Sequence, residues 1–199
     1  VIPLLAESEF GLERGVAVGA FVMSFGIAKA ITNLFAGTLA DRFGRKGVLL
    51  IGWLLGLPIP MLLIAAPTWN WVIAANLLLG VNQALTWSMT VNMMVDLVPA
   101  NRRGVAAGVN EFMGYLGVSL LAFLTGLIAS SYGLRPVPFY LGVVVAVLGL
   151  ILSFTVKETH KVSSILQLRW VKGVGLPSLL GLMTNLKDGL VWLSLPLLL

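Results

Sequence analysis

Six apolar runs divide the chain, at residues 15–37, 48–66, 71–98, 105–130, 139–156 and 176–199, with short polar stretches between them. A helix needs about 20 consecutive apolar residues to cross the hydrocarbon core of a bilayer, and the first run alone reaches about 33 Å as a helix. Each run therefore predicts one membrane-spanning helix. Asp41-Arg42-Phe43-Gly44-Arg45-Lys46 reads as a tight polar turn, 67–70 and 132–138 as further turns, and 157–172 as the longest connector. Pro58 and Pro60 predict a kink in the second run. Trp69 and Trp71 fall where aromatic anchors meet the membrane interface. A short apolar piece, 1–5, and an acidic, glycine-containing stretch, 7–14, precede the first run.

Composition removes the soluble alternatives. Hydrophobic residues make up 58% and charged residues 11% of the 199, with a mean hydropathy of +0.98, whereas soluble domains are nearer half apolar and a quarter charged. A globule this apolar has too few polar groups to cover its surface, so a soluble enzyme, a nucleic-acid module and a disordered tail all fit poorly. The chain has no cysteine and one histidine, His160, among the connector charges. Thiolate chemistry, disulfides and Cys- or His-based metal sites are excluded, and no cofactor or metal is expected. No signal-peptide pattern opens the chain.

The net charge of +5 would suggest nucleic acid in a soluble protein, but the basic residues cluster between apolar runs. Of thirteen Lys and Arg, nine lie in alternate connectors: Arg42, Arg45, Lys46, Arg102, Arg103, Lys157, Lys161, Arg169 and Lys172. The other connectors hold only Arg14 and Arg135, and Lys29 and Lys187 lie inside apolar runs. This asymmetry predicts that the first set is cytoplasmic. The expectation is a multi-pass protein of the cell membrane, plasma or inner, with the bilayer as partner and no nucleic acid.

That orientation puts Val1 on the outer side with no Met or basic flank before it, and the last run reaches the final residue. A fragment is expected, lacking one helix in front, of which 1–5 is the last turn, and more behind. The alternative is a complete six-span protein with an outer N-terminus.

Gly37-Thr38-Leu39-Ala40-Asp41-Arg42-Phe43-Gly44-Arg45-Lys46 is the most specific string. It resembles the signature of the Major Facilitator Superfamily, G-x-L-A-D-R-x-G-R-K, at every consensus position. Gly37 would permit close helix approach and Gly44 a sharp reversal. Asp41 needs a partner, since an unpaired charge near hydrocarbon is expensive. Arg42, Arg45 and Lys46 can anchor to anionic headgroups or pair with acids. The resemblance implies a loop that latches two six-helix halves together, with Asp96 pairing with Arg42 or Arg45. It implies an all-α fold: an N-terminal bundle over 1–156 (the end of helix 1 and helices 2 to 6), a cytoplasmic inter-domain loop over 157–173, and the start of helix 7 over 174–199. Two other family patterns fail. Asn76 stands before Gly80 where many proton-coupled members have arginine, and 108–126 lacks the proline of the drug-antiporter motif.

Polar residues inside the runs are the candidates for a substrate or coupling-ion site. Lys29 lies about 12 Å inward from Gly37, with Asn33 one turn on along the same face. It reads as a substrate or counter-ion group, a buried structural pair, or a snorkelling side chain. Asn82, Thr86 and Thr90 repeat at four-residue spacing, with Gln83 beside them. They form a lining stripe or a set of interhelical hydrogen bonds, and the resemblance implies that this helix lines a central cavity. Asn110 and Glu111 sit one to two turns into the next run, where the carboxylate couples protons or pairs with a lysine. Asn185, Lys187 and Asp188, followed by Gly189, interrupt the last run as a broken, site-forming helix or as its entry turn. Gly52 and Gly56, Gly104 and Gly108, and Gly11, Gly15 and Gly19 follow small-xxx-small spacing, which close packing explains.

The functional expectation implied by the resemblance is secondary transport of a small solute by alternating access, with a proton or sodium ion as possible coupling partner and a missing second half. The alternative is a non-transporting, truncated membrane protein or a regulatory subunit. No enzyme constellation is evident.

Overall fold

The computed structural model describes residues 1–159, 178–180 and 182–183. In chain order the elements are α1 (Ile2–Phe10), α2 (Arg14–Phe43), α3 (Arg45–Gly56), α4 (Pro58–Ala65), α5 (Trp69–Asp96), a 3-10 turn (Ala100–Arg102), α6 (Arg103–Tyr132) and α7 (Val137–Thr155). Among the described residues the fold is all-α. Five stretches are long and apolar enough to cross a membrane: Gly15–Phe43, Arg45–Ala65, Trp69–Asp96, Ala100–Tyr132 and Val137–Thr155. They coincide with the first five predicted runs. Hydrocarbon offers backbone N–H and C=O groups no water, so a spanning segment must satisfy them within its own helix. Most of the sixth run lies outside the described residues, including Asn185, Lys187 and Asp188; so does His160.

The helices run further than the hydropathy pattern suggests. α2 continues through Gly37 to Phe43, so most of the expected polar turn is helical. Only Gly44 reverses the chain, at φ 77° and ψ 161°, and α3 begins at the next residue. Charged side chains do not end a helix; a backbone angle open only to glycine does. At the start of the chain, α1 takes in Glu7 and Glu9 and ends at Gly11, with φ 62°. There the Leu12 N–H donates to the Ala6 carbonyl at 3.1 Å, and the Gly11 N–H points to the same carbonyl. The kink expected from the prolines is an interruption at Leu57, between α3 and α4, because Pro58 and Pro60 bring no N–H to the ladder.

α5 is the axis of the bundle, packed against α2, α3, α4 and α6. Small residues set its distances. A Cβ added to Gly80 would stand 2.6 Å from the Phe25 carbonyl oxygen of α2, and one added to Gly52 of α3 would stand 2.8 Å from Thr86 Cγ2. Gly56 likewise faces Asn82, whereas a Cβ at Gly37, Gly19, Gly104 or Gly108 would meet open space among the described residues. Close packing therefore accounts for Gly52 and Gly56 but not for Gly37, which lies on the exposed side of α2. The buried apolar cluster, Ala36, Ala40, Val48, Leu49, Leu85, Met89 and Met93, joins α2, α3 and α5 near the Gly44 end. α7 covers α3, with Trp53 lying over Gly149.

Replacing Gly80 by Val should force α2 from α5 and cost about 1–3 kcal/mol, the usual penalty of overpacking. Gly19→Ala should leave stability within about 0.5 kcal/mol. Thermal unfolding of the two variants in detergent, followed by size-exclusion chromatography, checks the contrast.

Candidate functional site

Two groups of polar side chains stand out, one at the Gly44 corner and one near the middle of the spans. At the corner, Arg45 is the first residue of α3, and its Nε donates to Asp96 Oδ2 at 2.6 Å. Asp96 closes α5 and also accepts from Thr159 Oγ1 at 3.0 Å. Arg42 is exposed, with its guanidinium over the Phe43 ring at 5.3 Å. Arg45, not Arg42, is thus the arginine on Asp96. Position decides this: the reversal at Gly44 turns Arg45 toward α5 and leaves Arg42 on the outer side of α2. Asp41 sits on the last turn of α2, half-buried.

The corner has a further member that sequence reasoning missed. Glu158, just past α7, accepts the backbone N–H of Arg45 on Oε1 and that of Lys46 on Oε2, both at 3.0 Å. A carboxylate is favoured there, because the first N–H groups of a helix lack partners and carry the positive end of its dipole. Lys46 returns the contact by donating from Nζ to the Phe154 carbonyl in the last turn of α7, at 2.8 Å. The two helix ends cap each other. Gly44 makes room for this, since a Cβ there would collide with the Glu158 carboxylate. Nothing local marks Glu158 as a cap in the sequence: the α3 N–H groups that it accepts are more than a hundred residues upstream.

The second group lies on α2, α5 and α6. Lys29, at the middle of α2, is half-buried, and its ammonium stands 5.6 Å from the centre of the Phe25 ring. It interacts electrostatically with Glu111 of α6. Glu111 Oε1 accepts the Trp87 indole N–H at 3.1 Å, and Trp87 meets Tyr115 edge-on at 6.4 Å. Asn33 Oδ1 accepts the Ser88 hydroxyl at 3.1 Å. The predicted Lys29, Asn33 and Glu111 therefore share one region, bridged by Trp87 and Ser88 of α5. Trp87 is adjacent to the predicted stripe, and the need of a buried indole N–H for an acceptor is the signal that could have found it. Asn110 is half-buried beside Glu111, with no side-chain hydrogen bond among the described residues.

Asn82 and Thr86 face the other way. Asn82 Nδ2 donates to the Gly52 carbonyl of α3 at 2.8 Å, and Thr86 Oγ1 to the Asn82 carbonyl at 2.9 Å. With Gln83 and Thr90 they line an apolar cavity of about 540 Å³ bounded by α3 to α7. Asn76, where the family pattern would have arginine, is buried and ties α5 to the Phe21 carbonyl and Ser24 Oγ of α2.

The end away from Gly44 has its own ion pair. Arg135, between α6 and α7, pairs with Glu9 of α1 and donates to the Ala66 carbonyl at 2.9 Å, at the end of α4. Phe10 stacks edge-on with Trp69 beside it, while Trp71 is exposed.

A corner built from the G-x-L-A-D-R-x-G-R-K string, ion-paired to the end of α5 between long apolar helices, points to one family. The model of the Major Facilitator Superfamily matches residues 1–199. The chain belongs to the Major Facilitator Superfamily. It is a multi-pass membrane protein. The Multidrug resistance protein MdtG of Salmonella arizonae is 35% identical over 134 residues, 66% of this chain and 32% of that protein. MdtG of Citrobacter koseri is 36% identical over 131 residues, 65% of this chain and 32% of that protein. The chain thus spans about a third of the length of the curated relatives it matches. Among solved structures, the inward open conformation of the xylose transporter XylE from E. coli superposes with a TM-score of 0.66 at 21% identity. It covers 79% of this chain and 43% of XylE, a likeness of fold.

In this superfamily member, Glu158→Gln should remove the charge from the α3 cap and cost about 1 kcal/mol. Gly44→Ala should cost more, about 1–3 kcal/mol, because it forces alanine into a glycine-only backbone region and displaces the Glu158 carboxylate. Thermal unfolding of the purified chain ranks the two variants against wild type.

Proposed function

We propose that this chain is part of a secondary transporter that moves a small solute by alternating access, with residues 1–156 as one rocking half. Residues 157–173 would be the inter-domain loop, 174–199 the start of the second half, and the Lys/Arg-rich connectors would face the cytoplasm of a plasma or inner membrane. The observation that carries the reading is the Gly44 corner in a chain matched end to end by the superfamily. A salt bridge and two reciprocal helix caps tie α3, α5 and the end of α7 together at that corner, which suits a half that moves as a body against its partner.

The solute and coupling sites in this reading are the polar groups in the spans. Lys29, Asn33 and Glu111 are the leading members, followed by Asn82, Thr86, Thr90 and Asn110, and by Asn185, Lys187 and Asp188 in the second-half segment. Transport would be driven by the solute's own gradient or by that of a coupling ion, a proton or sodium. The MdtG relatives, named for multidrug resistance, support a drug-like small solute. Asn76 in place of arginine, and the absence of proline from 108–126, weigh against the usual drug/proton antiporter pattern. In this reading Asp41 and Arg42 of the signature loop would meet the second half.

In the complete two-half protein, Asp41→Asn should lower the transport rate by about tenfold, equivalent to about 1.4 kcal/mol on the conformational cycle, with membrane insertion unchanged. Transport assays with quantified membrane levels test this, and wild-type rates would remove the latch role. Residues 1–199 alone should transport nothing after reconstitution into proteoliposomes; solute uptake by them would overturn the two-half reading.

A further inference from the structure

Three connections meet at the end of the bundle away from Gly44: Gly11–Glu13 between α1 and α2, Ala66–Thr68 between α4 and α5, and Gly133–Pro136 between α6 and α7. One side chain reaches across all three. Arg135, in the last of them, pairs through Nη2 with Glu9 in the closing turn of α1. Its Nη1 donates to the Ala66 carbonyl that caps α4, at 2.9 Å, and lies 3.4 Å from the Leu63 carbonyl in the same closing turn. Its guanidinium carbon stands 5.6 Å from the centre of the Phe10 ring. That ring meets Trp69, the first residue of α5, edge-on at 5.9 Å.

Each contact uses a different property of the guanidinium. The last carbonyls of a helix have no partner inside it and carry the negative end of its dipole, so the end of α4 attracts a positively charged donor. The Glu9 carboxylate takes a second nitrogen in a charge-assisted bond, and the flat face covers an aromatic ring. A planar fork with five N–H donors does these things together. An ammonium is a compact point charge and cannot.

The Gly44 corner is built differently. There the contacts are divided among Arg45, Lys46, Glu158 and Thr159, so losing one side chain leaves others in place. At the far end, losing Arg135 removes the contacts to α1, to α4 and to Phe10 at once. Partly exposed ion pairs contribute little one at a time. Local opening, however, follows the sum of what must break together.

We propose that Arg135 is a three-way clasp, a conformational device that holds the α1–α2 and α4–α5 connections to the α6–α7 connection. Releasing it lets all three open while the helices behind them stay folded. The clasp does not depend on the transporter reading, and its test requires no transport.

The test is hydrogen exchange of the complete protein, purified in detergent, read at one amide beside each connection. The N–H groups of Leu12, Trp71 and Phe139 donate to the Ala6, Thr68 and Pro136 carbonyls, each at 3.1 Å. Those of Gly44 and Leu97, which donate to Ala40 and Met93 at the other end, are the controls. Arg135→Gln should speed exchange at Leu12, Trp71 and Phe139 by about tenfold, with Gly44 and Leu97 within about twofold of wild type. Glu9→Gln, which frees one arm, should speed Leu12 and leave Trp71 within about twofold. Arg135→Lys, which keeps the charge without the fork, should hold Leu12 within about threefold and speed Trp71 by about tenfold. Acceleration at Phe139 alone overturns the clasp, because Arg135 would then act only on its own turn. Equal acceleration at Gly44 and Leu97 overturns it as well, since the loss would be one of general stability. So does wild-type exchange at all three amides in Arg135→Lys, because a bare positive charge would then suffice. If Arg135→Gln does not fold, the two milder variants decide. Acceleration of Leu12 by one and of Trp71 by the other upholds the clasp, and wild-type exchange in both overturns it.

Discussion

Close approach of α5 to α2 and α3 is the constraint on which the rest of the bundle depends. Between helices in lipid there is no hydrophobic drive to associate, since the tails are as apolar as leucine; contact and interhelical hydrogen bonds must hold them. Gly80 lets the α2 backbone come against α5, and Gly52 and Gly56 let α3 do the same from another side. Once the backbones are this near, Asn82 reaches the Gly52 carbonyl and Asn76 reaches Phe21 and Ser24. Each buried amide then crosses to a neighbouring helix. These bonds follow from the glycines and could not form at ordinary helix spacing.

The helix ends are fixed by electrostatics of a simple kind. At the Gly44 corner a carboxylate sits on the N–H groups that open α3, and a lysine sits on a carbonyl that closes α7. At the opposite end Arg135 sits on the carbonyls that close α4 and holds Glu9 of α1. Both arrangements place charge where a helix terminus has the opposite partial charge. Individually these partly exposed contacts contribute little. Their effect is positional: they join elements far apart in sequence.

Between these two ends, three of the four buried polar side chains among the described residues, Asn76, Asn82 and Thr86, lie on α5; Ser153 of α7 is the fourth. The successive faces of α5 serve different neighbours. Asn76 and Ser88 turn to α2, Asn82 to α3, and Trp87 to Glu111 of α6. A polar stripe read at four-residue spacing does not distinguish these faces, because adjacent positions differ by about 100° around the helix. Asn82 and Thr86 therefore spend their hydrogen bonds within the bundle, while their neighbours Trp87 and Ser88 bridge Lys29, Asn33 and Glu111 into one region.

Much of this protein was legible from its residues in order. The apolar runs located five membrane helices of the described chain, because a span must be long and apolar whatever it packs against. The Gly37–Lys46 string identified the superfamily, and Gly44 was marked as the reversal, because a positive φ is a local property of one residue. Helix ends were less legible: charged residues at 38–43 stayed helical, since charge at a terminus is compatible with an intact hydrogen-bond ladder. What only the tertiary structure decided is pairing. The choice of Arg45 over Arg42 for Asp96, the arrival of Glu158 on α3, and the bonds of Ser88 to Asn33 and of Trp87 to Glu111 all join residues that no sequence period connects. They depend on the angle and distance at which helices cross, and those are set by small residues and side-chain shape across several helices at once.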